Sequence, residues 1–92
     1  MELSEFQKVI TDTYGERDAG RPISASIAWL TEELGELAQA IRKGTFEEQK
    51  HEVGDVLAWL ASVAAQIGVP LEAAAARYAD GCPTCARKPC GC

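Results

Sequence analysis

Glu33 and Glu36 stand three residues apart, and so do Glu52 and Asp55. On a helix that spacing puts both members of a pair on one face, so each pair can close on a ligand from one side. The stretches that carry them meet at Gly44; folded back as an antiparallel hairpin, they bring together residues whose numbers total about 88. Glu36 then faces Glu52, and Glu33 faces Asp55. Four carboxylates in one patch raise one another's pKa values and oppose folding unless something positive sits among them. Oxygen-only ligation favours a hard cation, Mg²⁺ or else Mn²⁺, and such ions keep waters and bind phosphate oxygens. Glutamates at this spacing are also common on ordinary solvated faces. Against that bland alternative stand Gly35 and Gly54 inside the two clamps, each costing about 1 kcal/mol relative to Ala in a helix. His51 adjoins Glu52 in the chain but is expected to point elsewhere, as a surface bystander.

Helical periodicity accounts for every stretch between the Gly and Pro punctuation, and no strand is needed. A first helix is expected from about Glu5 to Tyr14, capped by Ser4 with Gln7, followed by a loop from Gly15 to Pro22. A second helix starts near Pro22 to Ser24 and stops at Gly44. Its apolar residues Ile23, Ile27, Leu30, Leu34, Leu37 and Ile41 step by alternating fours and threes, a seam suited to long antiparallel packing. Thr45 and Glu48 are spaced as a capping box for a third helix, whose seam is Val53, Val56/Leu57, Leu60, Val63/Ala64 and Ile67, ending at Gly68. Pro70 suits the first turn of a short fourth helix reaching about Ala79, with Gly81 as its stop. The expected fold is all-α, antiparallel helical hairpins forming a four-helix-bundle-type oligomer, with residues 1–81 as the helical domain and 82–92 as a Cys-rich tail.

Composition sets the outer limits. Nine Lys and Arg against fourteen Asp and Glu give a net charge of −5, which argues against a basic nucleic-acid face. Apolar residues at 47% and charged residues at 25% match a chain that folds rather than stays disordered. No apolar run approaches the roughly 18–20 residues of a membrane span, and Met1 leads into Glu2 and Glu5 rather than a basic then apolar leader. A cytoplasmic location and no membrane partner are therefore expected. With 92 residues, one hairpin buries little surface, and partner subunits or a metal are the usual remedy. The seams exceed what one hairpin covers, so a homodimer or homotetramer is expected.

Glu32-Glu33-Leu34-Gly35-Glu36, then fifteen residues (37 to 51), then Glu52-Val53-Gly54-Asp55, is similar to the EExxE…ExxD pattern of the all-α, MazG-like nucleotide pyrophosphohydrolases. Trp29-Leu30-Thr31 and Val56-Leu57-Ala58-Trp59-Leu60 extend the likeness to about residues 24 to 80. The resemblance implies Mg²⁺-dependent hydrolysis of a nucleoside triphosphate between its α and β phosphates, giving a monophosphate and pyrophosphate. Carried over position by position, Glu33, Glu36, Glu52 and Asp55 would be the Mg²⁺ ligands, and Glu32 would orient or deprotonate the attacking water. Lys43 and Arg77 are candidate partners for the departing pyrophosphate; Arg42 is better explained by helix-end charge. Arg77 and Ala76 depart from the Lys- and Asn-rich fourth helix usual in the family.

Trp29 and Trp59 also total 88. Their indoles fall on the carboxylate side, about a turn deeper, where they either flank a nucleobase or pack as ordinary core. Ser26 and Ser62 share their stripe.

Every cysteine of the chain lies in its last 11 residues, as Cys82, Cys85, Cys90 and Cys92. Packed this tightly they form either a Zn²⁺ knuckle or two disulfides; with no secretory leader visible, reduced thiols and tetrahedral zinc are favoured. The first pair has ordinary zinc spacing, and the Cys-x-Cys of the second is tighter than usual. Two rival functions remain: a non-enzymatic helical interaction or metal-sensing module with a zinc-binding tail, and an iron site with redox chemistry, which the lack of a Glu-x-x-His pair disfavours.

Overall fold

The computed structural model describes residues 1–92 as four α-helices and no strands: α1 (Leu3–Ala19), α2 (Ile23–Lys43), α3 (Phe46–Gln66) and α4 (Leu71–Ala75), with a 3-10 turn over Ala76–Tyr78. α2 and α3 form the antiparallel hairpin, α1 packs on α3, and α4 packs on α1. No single helix is long and apolar enough to cross a membrane.

The hairpin turns where local chemistry directs it. Gly44 closes α2 with its N–H on the Ala40 carbonyl, and Gln49 Nε2 donates to that same oxygen at 3.2 Å from the first turn of α3. Thr45 and Glu48 form the expected reciprocal capping box, Glu48 N–H donating to Thr45 Oγ1 at 3.2 Å. Gly68, at φ +78°, sits just past the end of α3 in the left-handed region that glycine tolerates.

Three elements depart from expectation, and each departure has a long-range cause. α1 does not stop at Tyr14; it runs through Gly15 to Ala19, because its end is fixed from elsewhere. Gln66 Nε2, on α3, donates to the Asp18 and Arg21 carbonyls at 2.9 and 3.0 Å, clamping the turn in which the Arg21 N–H also reaches the Asp18 oxygen. Arg21 Nη1 reaches back to the buried Asp18 carboxylate at 2.7 Å and locks the same turn. Second, Ser4 and Gln7 make no capping box. The N-cap is Glu2, without a side-chain bond. Gln7 instead donates to the Val69 carbonyl at 3.0 Å and accepts the Leu71 N–H at 2.9 Å, tying the α3–α4 turn to α1. Third, the fourth helix tightens into the 3-10 turn after Ala75 rather than reaching Ala79 as α-helix, and Pro70 is its N-cap. Its alanines are exposed, and apart from Leu71 it buries nothing that would hold a longer helix.

The core is thin: its buried apolar residues are Ile10, Ala40, Ala61, Val63, Ala64 and Leu71, half of them alanine. Ser26 and Ser62 are buried with them, the first completely, and their small side chains occupy the stripe where α2 meets α3. The expected seams are only partly inside: Val63 and Ala64 are buried and Leu30, Leu37 and Val56 half-buried, while their other large residues face out. Ile23, Ile27, Leu34 and Ile41 of α2, Val53, Leu57 and Leu60 of α3, and Ile67 at the α3 C-cap are exposed, Ile41 by 62% and Val53 by 52%. Helical spacing puts them on the side of the hairpin turned away from the carboxylates.

Candidate metal centre and neighbouring cavity

Glu33, Glu36, Glu52 and Asp55 come together, each offering one carboxylate oxygen, and these oxygens all lie within 4.8 Å of one another. Around one six-coordinate Mg²⁺ with bonds of 2.0–2.1 Å, ligand oxygens sit roughly 2.9 to 4.2 Å apart, so small side-chain adjustments complete the fit. Glu33 Oε2 and Glu52 Oε2 are buried with no hydrogen-bond donor. A buried carboxylate oxygen without a partner is costly, and a cation is the group that removes the cost at both positions together. Burial, followed by the negative charges of Glu36 and Asp55, pushes the Glu33 carboxyl above its ordinary range. The same causes in the same order raise Glu52, opposed by His51.

His51 does not point away. Its Nε2 lies 3.2 Å from Asp55 Oδ2, one helical turn on, and His51, Glu52 and Asp55 form a second cluster able to hold a metal. The i, i+4 spacing of His51 and Asp55 was the available signal. Glu32 is exposed on α2 and lies outside the four-carboxylate group.

Two recesses flank the patch. One, of about 370 Å³, is lined by Glu36, Glu52, Gln39 and Lys43, so Lys43 borders the same recess as two of the carboxylates. The other, of about 220 Å³, lies between α1 and α3 and includes Asp55, Trp59, Tyr14, Arg17, Asp18 and Arg21. Both of its cationic residues, Arg17 and Arg21, come from the stretch expected to be a loop, and the helical course of α1 through Ala19 brings Arg17 to it. Trp29 and Trp59 are brought together as the hairpin register requires, stacked with ring centroids 5.8 Å apart and planes at 9°. Arg21 sits over Trp59 at 4.9 Å from the ring centroid. A base inserted between the indoles would need two contact distances, about 7 Å. The pair therefore offers an outer face rather than a slot. Arg77 lies over Tyr78 on the 3-10 turn, with its guanidinium 5.5 Å from that ring, and lines neither of these two recesses.

The four cysteines are free thiols gathered in a separate cluster, their Sγ atoms all within 4.8 Å of one another.

A family model described as the MazG nucleotide pyrophosphohydrolase domain matches residues 21–83, taking in α2, α3, α4, the four carboxylates and both tryptophans. No curated protein matches the chain.

Proposed function

The chain belongs to the MazG nucleotide pyrophosphohydrolase family, and we propose that it is a Mg²⁺-dependent nucleoside triphosphate pyrophosphohydrolase, cutting between the α and β phosphates to release a nucleoside monophosphate and pyrophosphate. The observation that carries the proposal is the pair of buried, donorless oxygens of Glu33 and Glu52 inside a four-carboxylate patch. Glu33, Glu36, Glu52 and Asp55 would hold the ion, Mn²⁺ serving in place of Mg²⁺. A divalent cation there supplies positive charge against the triphosphate and acidifies water for the in-line attack. His51, on Asp55, restrains that carboxylate. Glu32, exposed and outside the four-carboxylate group, would accept a proton from the attacking water rather than bind metal. Lys43 faces the open recess beside Glu36 and Glu52, where its charge meets the departing pyrophosphate.

The smaller cavity takes the base or the sugar. Its 220 Å³ falls below the roughly 300–1,000 Å³ that enclose a whole drug-sized ligand, leaving the triphosphate to the open side. Trp59 is covered by Trp29 and Arg21, so the cavity offers a base or sugar the Arg21 guanidinium held over that ring, with Arg17 beside it. A panel of nucleoside triphosphates with Mg²⁺ tests the proposal. Pyrophosphate with monophosphate is the expected product; orthophosphate, or no hydrolysis of any member, would overturn it.

The exposed seam is proposed to be covered by a second copy, giving a homodimer or a homotetramer of hairpins. Its large side chains lie together on one face, whereas several of the residues the chain itself buries are small, Ser26, Ala40, Ala61, Ser62 and Ala64. Sedimentation at micromolar concentration showing only the 9.9 kDa monomer would refute this.

A further inference from the structure

We propose that Cys82, Cys85, Cys90 and Cys92 hold one tetrahedral Zn²⁺, which closes residues 82–92 into a structural knuckle independent of the carboxylate centre. The family match ends at residue 83, so three of the four cysteines lie beyond it.

Geometry selects a single ion. With Zn–S bonds of about 2.3 Å, the sulfurs of a tetrahedral site stand about 3.8 Å apart. The Sγ atoms of Cys82 and Cys92 are 3.8 Å apart, those of Cys90 and Cys92 are 3.3 Å apart, and no pair of the four exceeds 4.8 Å. An iron–sulfur cluster, with several irons between its thiolates, needs them spread wider.

The backbone is already bent around that volume. Cys82 N–H donates to the Arg87 carbonyl at 3.1 Å, and Ala86 N–H donates back to the Cys82 carbonyl at 2.6 Å, closing a tight loop that carries both members of the first pair. Ala86 takes the left-handed conformation, φ +57°, directly after Cys85. Gly81 enters the loop at φ +101°, where a Cβ would meet Lys88 Cγ at 2.6 Å and the Arg87 carbonyl at 2.8 Å. Gly91 N–H donates to Cys85 Sγ at 3.3 Å, so the second half of the cluster reaches back to the first. The N–H groups of Cys85 and Thr84 favour the Cys82 thiolate, lowering its pKa to about 6. Four thiolates around Zn²⁺ leave two negative charges. Arg87 and Lys88 lie inside the loop to offset them, and the Arg87 side chain crosses Gly91 so closely that a Cβ there would collide with it.

The soft donors of this cluster and the hard oxygens of the carboxylate patch sort metals by chemistry. The full chain, expressed with added zinc and purified under reducing conditions, should carry about one Zn²⁺ per chain. After exchange it should give a Co²⁺ spectrum with tetrahedral bands and thiolate charge transfer. Cys82→Ser/Cys85→Ser should lose the zinc and both spectral features while helical circular dichroism is kept; Cys92→Ser alone, a milder change, should lower zinc affinity at least tenfold. Glu36→Gln/Asp55→Asn should keep the full zinc content. Two disulfides by intact mass after reducing purification, iron in place of zinc, or an octahedral oxygen-ligated Co²⁺ spectrum would each overturn the proposal. So would loss of the zinc in the carboxylate variant, or loss of helix in both cysteine variants.

Discussion

Two groups of four ligating side chains, equally compact, are assembled in opposite ways. The carboxylate patch draws on two 21-residue helices, and its geometry depends on hairpin register, the buried serines and the Gln49 bond across the turn. The cysteine cluster spans 11 residues and is bent into place by its own backbone bonds. Their electrostatics differ in the same sense. In the patch, burial and then the neighbouring carboxylates raise Glu33 and Glu52, and two oxygens lack donors; in the tail, backbone N–H groups favour the Cys82 and Cys85 thiolates, and only Cys92 is pushed up, by the thiols beside it. A long-range scaffold can hold like charges in conflict, ready for a transient cation and its substrate. A short local loop offsets part of its conflict with its own backbone N–H groups, and suits a permanent ion.

The largest effect that separates the two regions is on hydrolysis. Glu36→Gln or Asp55→Asn should lower kcat on the order of 100-fold or more, since each removes a ligand charge from a site whose cation contributes several kcal/mol. Cys82→Ser/Cys85→Ser should hydrolyse triphosphate at close to the wild-type rate. Steady-state kinetics on the three proteins checks this, and a cysteine variant as inactive as the carboxylate variants would erase the division between the two regions.

Next in size is the response of stability to Mg²⁺. An ion bound only to the folded state at 100 times its Kd adds about 2.7 kcal/mol. Thermal melts should therefore show Mg²⁺ raising the Tm of the wild type and of the cysteine variant alike, with a much smaller rise in Glu36→Gln. An equal rise in all three would place Mg²⁺ binding outside the patch.

What the sequence made legible follows from how local each cause is. The i, i+3 carboxylate pairs, the Thr45–Glu48 box and the hairpin register depend on helical period and one turn, and the structure has all three. The end of α1 depends on Gln66, 48 positions away, and the bonds of Gln7 reach 62 and 64 positions along the chain. No window around Gly15 or Ser4 contains those partners. The cavity with Arg17 and Arg21 was missed for the same reason. The apolar seam was visible as a pattern, but periodicity does not say whether a helix presents it to its own hairpin partner or outward, and here the small residues Ser26 and Ser62 take the inner position. In the tail, cysteine spacing was readable, whereas the N–H groups aimed at sulfur arise from backbone turns that spacing does not encode.

A smaller effect is the pH dependence of the metal-free protein. Glu33 and Glu52 have pKa values raised above the ordinary 4.5, so in the window between 4.5 and the raised values the folded chain binds more protons than the unfolded chain. Stability then falls as pH rises through that window, and the full benefit of protonation is present below 4.5. Denaturant titrations in chelator should show this trend from these groups in wild type. Glu36→Gln removes one of the charges that raise both groups and should flatten it, as should saturating Mg²⁺, by favouring the ionised form. The cysteine variant should keep the wild-type slope, and a slope unchanged in Glu36→Gln would remove the electrostatic conflict on which the contrast rests.

The smallest expected effect sets glycine against glycine. Gly81 of the tail is at φ +101° with Lys88 and Arg87 in the way of a Cβ, so Gly81→Ala should disturb the knuckle and weaken zinc binding. Gly35 and Gly54, which looked in the sequence like requirements of the two carboxylate clamps, meet nothing within 4 Å where a Cβ would stand. Within one chain they serve no close approach, and Ala at either position regains the helix propensity that Gly forfeits. Gly35→Ala should therefore stabilise α2 by up to about 1 kcal/mol without loss of Mg²⁺ binding. Chemical denaturation measures the gain, and sedimentation of the same sample gives it a second meaning. Stabilisation with the assembly unchanged makes Gly35 a free position. Destabilisation together with a shift toward monomer would instead mean that a second copy approaches α2 at Gly35, and the glycine would then belong to the contact between chains rather than to the metal centre.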